Sequence, residues 1–224
     1  MNPSYAYCAL IDVLGYRSRL KGDQESGSFA FKDDLEEALR CFDGVNSAVF
    51  GVHAISDTVI LTCTTHANFI EFLQVIKSVF LAFLKRGLFV RGGIAYSKHF
   101  QNNKLTYSHA IARSYELESS RAIHPRIVID ENIIQMHSGP GSTVQLRKAD
   151  LVAQQNGVYF LHVLADPQWP AIYMSAKAAY ERDKNGLIAN EAALGKHVWF
   201  EEYLRTFVPT ESKFEAYIER ASLY

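Results

Sequence analysis

The chain predicts an α+β fold of the ferredoxin-like βαββαβ kind, with an antiparallel central sheet and a C-terminal helical extension. Two observations predict it. Short apolar runs alternate with segments of helical period in that order, and the second and third runs are separated only by Ser56-Asp57. After about residue 170 the pattern turns mostly helical, which divides the chain into a domain over 1–170 and an extension over 171–224 packed on it.

Tyr5 to Asp12 is a short apolar run and reads as a buried strand. A polar, glycine-bearing stretch covers Lys21 to Ser28, and Phe31 to Phe42 has helical spacing with Leu35, Leu39 and Phe42 on one side. Ser47 to Ile55 and Thr58 to Thr64 are β-branched and apolar, a hairpin signal although the turn lacks the Asn-Gly pair of the tightest turns. Phe69, Phe72, Leu73, Ile76, Val79, Phe80, Phe83 and Leu84 recur every three or four residues, a helix that Gly87 ends. Leu88 to Ser97 reads as a strand, Gln101 to Lys104 as a turn and Leu105 to Tyr107 as a return strand. Ser108 caps a helix reaching Ser120, and Arg126 to Asp130 is a further strand after Pro125. Beyond it, Ser138 to Ser142 is a loop, Gly157 to Val163 a strand, and Ala171 to Tyr224 mostly helical, with Trp199, Tyr203, Phe207, Phe214 and Tyr217 as packing residues.

At 224 residues with 48% hydrophobic and 21% charged side chains, the chain can bury a sizeable core. A formal net charge of -1 demands no basic face, which weakens a nucleic-acid reading. Cys8, Cys41 and Cys63 have no CxxC spacing and read as small hydrophobes in a reducing cytosol. The start shows no basic and apolar leader, and Phe69 to Leu84 contains Glu71, Gln74 and Lys77, so neither a signal peptide nor a plain membrane span is expected. The expected location is cytoplasmic.

Two carboxylates stand at strand ends beside sharp turns, Asp12 in Ala9 to Tyr16 and Asp57 in Val52 to Ile60. A carboxylate within an apolar run costs roughly several kcal/mol unless something pairs it. In the βαββαβ order the first strand lies beside the third, so the two would converge at one sheet edge. Hard oxygens in that arrangement suit Mg²⁺ or Mn²⁺, two ions per site, and in-line phosphoryl chemistry. The structural alternative makes Asp12 an N-cap and Asp57 a turn residue. The backbone N–H groups of Leu14, Gly15 and Tyr16 would cradle phosphate. No GxxxxGK[ST], HExxH or GxSxG occurs.

In order, Asp12-Val13-Leu14-Gly15-Tyr16, Ser56-Asp57-Thr58, Val90-Arg91-Gly92-Gly93-Ile94, Ala110 to Ala122 with Leu117-Glu118, and Pro125 to Ile129 resemble the motifs of class III nucleotidyl cyclase catalytic domains. The resemblance covers about Tyr5 to Asp130. The chain departs from adenylate and guanylate cyclases at Ala112 and Glu116, where the family carries asparagine and arginine, and at His53, where purine readers often carry lysine or glutamate. The Arg113 to Glu118 stretch and the short stand-alone domain look like the bacterial pyrimidine cyclases of Pycsar antiphage defence.

That resemblance implies a lyase converting UTP to 3′,5′-cyclic UMP and diphosphate, or CTP to cyclic CMP. The product would be a second messenger that addresses a separately encoded effector without contact. It implies Asp12 and Asp57 as ligands of both ions and the Val13 carbonyl as a further one. It implies a homodimer with active sites at the interface, across which the helix bearing Arg113 reaches the partner's aspartates. Arg113 is the first substitute for the missing transition-state arginine and Arg121 the second, each with a solvated helix-face arginine as its alternative. His53 is the candidate base contact, or a polar residue on a sheet face, and Arg91 has a purely structural or interface role as its alternative. Rival readings are a non-catalytic nucleotide-binding module, another palm-like nucleotidyl transferase, and a structural role for both aspartates. No partner among nucleic acids or membranes is expected.

Overall fold

The computed structural model describes residues 4–139, 149–164 and 166–219. The strands are β1 (Ser4–Val13), β2 (Phe50–Ile55), β3 (Thr58–Cys63), β4 (Val90–Gln101), β5 (Thr106–Ser108), β6 (Ile127–Ile129), β7 (Val152–Gln155) and β8 (Val158–Leu161). The helices are α1 (Tyr16–Ser26), α2 (Ala30–Leu39), α3 (Phe69–Lys85), α4 (His109–Arg121), α5 (Glu131–Met136), α6 (Trp169–Leu187) and α7 (Glu191–Thr206). Among the described residues the strands form one sheet in the order β2-β3-β1-β4-β6-β8-β7, with β5 paired to β4. The first four strands thus have the ferredoxin-like order, mutually antiparallel along that path, while β6 joins β4 in parallel.

Pleat parity assigns each residue of β1 to a face. Tyr7, Ala9, Ile11 and Val13 are buried in the main core, which also holds the apolar stripe of α3, including Phe69, Phe72, Ile76, Phe80 and Phe83. The 20-residue segment His66–Lys85 has the length and composition to cross a membrane; here its apolar stripe belongs to the core. On the opposite face Cys8, Leu10 and Asp12 lie under α4, whose Ser114 hydroxyl donates to the Cys8 carbonyl at 2.9 Å. Gly93 permits that approach: a β-carbon there would overlap the Ser114 carbonyl and stand 2.7 Å from the Leu117 Cβ. Ser108 caps α4 as expected, accepting from Ile111 N at 3.0 Å.

Several elements differ from the sequence reading, and α5 has no counterpart in it. The polar stretch after Lys21 continues α1, a helix with no buried residue that ends on left-handed Gly27. Val152 to Gln155 is a strand, joined to β8 through Asn156 (φ 52°) and Gly157 (φ 74°), the positive-φ pair of a tight hairpin. The C-terminal helicity stops at Thr206, and 207–219 is irregular, held where the Glu201 carboxylate accepts from Tyr217 N (2.7 Å) and Ile218 N (2.9 Å). Pro140 to Ser142 of the expected loop and the final residues from Arg220 lie outside the described residues.

The helical pair α6–α7 shares the main core. Trp169, Ile172, Tyr180, Phe200 and Leu204 belong to the same buried cluster as β1 and α3, and Trp169 Nε1 donates to the Leu204 carbonyl at 3.1 Å. All three cysteines are free, and burial pushes the Cys8 thiol up to about 12 and Cys41 up to about 11, so neither is a ready nucleophile.

Candidate active site at the carboxylate end of the sheet

The register brings the two aspartates together. Asp12, next to last in β1, pairs with Thr58, so Asp57 in the β2–β3 turn is one residue from its partner. The Val13 N–H closes the junction by donating to the Asp57 carbonyl at 2.9 Å. Ser56 takes a left-handed φ of 58°, an uncommon conformation for a residue with a β-carbon, and this sharp turn places Asp57 beside the end of β1.

Asp12 is partly exposed, and its neighbours explain its electrostatics. Burial raises its pKa; a hydrogen bond and charge attraction from Arg91 oppose that, and the Asp57 carboxylate raises it again. Arg91 pairs with Asp12 across the β1–β4 ladder, and its Nε donates to Asp12 Oδ2 at 3.1 Å. Its Nη2 stands 2.6 Å from Glu118 Oε1 on α4, an ion contact off the hydrogen-bond direction. Glu118 is 4% exposed; burial raises its pKa, Arg91 lowers it, and Asp12 and Asp57 raise it further. One guanidinium therefore bridges two carboxylates, Asp12 and Glu118. Sequence reasoning matched Arg91 and Glu118 only as parts of motifs, because their meeting depends on the register of β4 and the seat of α4.

The β1–α1 turn adjoins this group. Gly15 has φ 79° and starts α1 without a side-chain cap. The Leu14 N–H is spent on the Phe89 carbonyl at 2.9 Å, which removes it from the expected phosphate cradle. The Gly15 and Tyr16 N–H groups find no partner among the described residues. Val13 is 2% exposed.

The remaining expected residues lie apart. His53 is exposed on edge strand β2; opposite Ile60, which pairs with Leu10, it shares the sheet face of Asp12, and its Nε2 lies 2.8 Å from Gln101 Nε2. Arg113 is bound through Nε to Asp130 at 2.7 Å and through Nη1 to Glu116 at 3.0 Å. With Arg121 it lines a small cleft of about 130 Å³ beside β6, and it pairs with neither Asp12 nor Asp57 of its own chain. No group of three or more His, Cys, Asp and Glu residues suited to a metal occurs among the described residues. Asp12 and Asp57 are nonetheless hard-oxygen donors whose like charges a cation would relieve. They fit an ion such as Mg²⁺ or Mn²⁺ that takes the rest of its shell from water and substrate oxygens.

A cavity of about 570 Å³ opens on the far side of the Gly15 turn, between it and the α6–α7 pair. Arg19, Arg182, Asp183 and Lys196 are the charged residues of its wall. Of the residues singled out from the sequence, Leu14 and Gly15 line it; its charged residues were not among them.

Neither a family profile nor a curated protein matches the chain. Among solved structures it is similar to a bacterial light-regulated adenylyl cyclase (11% identity, TM-score 0.48, covering 80% of this chain and 100% of that one). It is similar also to the guanylyl cyclase Cya2 (12% identity, TM-score 0.40, 75% and 97% covered). A third is the guanylate cyclase domain of RhGC from Catenaria anguillulae, solved in complex with GTP (11% identity, TM-score 0.43, 71% and 96% covered).

Proposed function

We propose that this chain is a metal-dependent nucleotidyl cyclase that acts on a pyrimidine ribonucleotide, UTP before CTP. The observation that carries the reading is the convergence of Asp12 and Asp57 beside a glycine turn whose N–H groups at Gly15 and Tyr16 have no partner among the described residues. The ordered motifs from Asp12 to Ile129 give that convergence its chemical sense.

In the reaction the ribose 3′-hydroxyl loses its proton, its oxygen bonds to the α-phosphorus, and the bond from that phosphorus to the bridging oxygen breaks to release diphosphate. Asp12 and Asp57, with the Val13 carbonyl, would hold Mg²⁺ or Mn²⁺, which supplies acidification of the hydroxyl and neutralisation of the phosphates. The Gly15 and Tyr16 N–H groups bind a phosphate oxygen. Arg91 holds Asp12 in place and opposes the upward push that burial and Asp57 give its pKa. His53 contacts the base from the same sheet face. Arg113 acts in trans, in a homodimer whose second copy presents α4 to this site, since in its own chain it is tied to Asp130. The cyclic nucleotide serves as a second messenger in antiphage defence, made in the cytoplasm and read by a separate effector.

A non-catalytic nucleotide-binding module is the second reading. It draws on the engagement of Asp12 by Arg91 and on the lack of a third clustered metal ligand among the described residues. Incubation with all four ribonucleoside triphosphates and Mn²⁺, followed by mass spectrometry, separates the two. Cyclic UMP or cyclic CMP is expected, falling at least about a hundredfold in Asp57→Asn. Cyclic AMP or GMP would overturn the base assignment, and no product from any nucleotide would favour the binding module.

A further inference from the structure

The cavity beside the Gly15 turn is walled by α6 and α7, elements that the reading of Asp12 and Asp57 does not use. Its charged wall holds three cations and one carboxylate. Two of the cations are engaged. Arg19 Nη2 donates to Asp183 at 2.8 Å, and Arg182 donates to the Gly87 carbonyl at 2.7 Å and to Asp183 at 3.0 Å. Lys196 is not. It is half-buried, and among the described residues it makes neither a hydrogen bond nor an ion pair. By contrast Lys184 and Lys32 have carboxylate partners.

The position of Lys196 follows from the packing of α7. Phe200 is fully buried against Phe80 and Phe89 (ring centroids 6.0 and 5.1 Å), and Lys196 lies one turn earlier on the same helix face. His197, beside it, packs edge-on against Phe89 at 4.8 Å. The ammonium is thereby brought toward the catalytic end of the sheet: its electrostatic neighbours are Arg91, which with burial lowers its pKa, and Asp12, which raises it. A half-buried cation next to a second cation, without a paired anion, is a cost that a bound anion relieves. A second polar group in the wall is also unsatisfied: His197 is 5% exposed and its Nδ1 has no hydrogen-bond partner among the described residues.

We propose that this cavity receives the polyphosphate tail of the nucleotide and that Lys196, supplied in cis by the C-terminal helical pair, is the residue that binds it. The identity of the tail rests on the cyclase reading. The anion class rests on the cavity itself, whose excess positive charge and neighbouring Gly15 and Tyr16 N–H groups suit a chain of phosphates. The α6–α7 pair is then one wall of the active site, and the α-phosphate would lie at Asp12 and Asp57 with the leaving diphosphate pointing into the cavity.

The test is calorimetric binding of inorganic tripolyphosphate with excess Mg²⁺ to the full chain. The wild-type protein should bind it, Lys196→Ala should weaken binding about tenfold to a hundredfold, and Lys196→Arg should stay within about threefold of wild type. Lys196→Gln serves as a second neutral variant, and thermal melts identify any variant that has not folded. For turnover, Lys196→Ala should raise KM for UTP more than it lowers kcat. Absence of tripolyphosphate binding by the wild type, or equal binding by the folded neutral variants, overturns the proposal. The cyclase reading fails separately, on the absence of a cyclic product.

Discussion

The carboxylate end of the sheet and the cavity under the C-terminal helices carry opposite charge and are built by different means. At the first, neighbouring strands place Asp12, Asp57 and Arg91 by hydrogen-bond register, and α4 adds Glu118. At the second, the helical pair α6–α7, distant in sequence, places Arg182 and Lys196 through its packing on the main core, and α1 adds Arg19 through its ion pair with Asp183. The carboxylates suit a metal ion and the cationic wall a chain of phosphates. The difference in construction also means that the two walls can be perturbed separately.

The largest effect should come from Gly93→Ala, which drives a methyl group into the Ser114 carbonyl and Leu117 and so lifts α4, with Glu118, from the sheet. A loss of about 3 kcal/mol in urea unfolding is expected. An unchanged midpoint would show that α4 is seated more loosely than the geometry has it.

The cationic wall should respond to pH. Burial depresses the His197 pKa to about 4, with Asp183 opposing and Arg182, Arg19 and Lys196 reinforcing the shift. Above pH ~6.5 the residue is neutral in both folded and unfolded chains and contributes nothing to pH dependence. As pH falls toward 4, the unfolded chain takes up the proton and the folded chain does not, so stability is lost, by about 2 kcal/mol at pH 5. His197→Phe should flatten the profile by about that amount. Urea melts at pH 7.5 and 5.0 check it, and equal pH dependence of variant and wild type would contradict the burial of this imidazole.

The smallest effect belongs to the guanidinium at the carboxylate end. Arg91→Ala leaves Asp12 and buried Glu118 unpaired. Partial exposure of Arg91 keeps the expected loss to about 1–2 kcal/mol. Adding Glu118→Gln should recover part of it, and a double variant no better than the single one would show that Glu118 is not what Arg91 compensates.

These differences also explain which features were legible in the sequence. The unbroken apolar run of β1, covered on both faces, the β-branched runs of the β2–β3 hairpin and the period of 3.6 in α3 are signals of burial, so those elements, and the adjacency of Asp12 and Asp57, could be read directly. α1 was missed beyond its start because it buries nothing and carries no apolar stripe. The β7–β8 hairpin was half missed although Asn156-Gly157 signals it, because its strands have only four residues each. Arg91, Glu118 and Lys196 carry no local signal: each gains its meaning from another element, through register for Arg91 and through helix packing for the other two. Arg113 shows the converse, a residue singled out by motif position that is held by Asp130 within its own chain.

The central claim is that Asp12 and Asp57 together hold a divalent ion with the nucleotide. It is tested most directly by calorimetric titration of Mn²⁺ into the protein with and without UTP, for the wild type and Asp57→Asn. The account predicts Mn²⁺ binding that UTP strengthens in the wild type and that Asp57→Asn loses while its thermal melt is unchanged. Identical Mn²⁺ isotherms for the two proteins would contradict it and return Asp57 to the role of a turn residue.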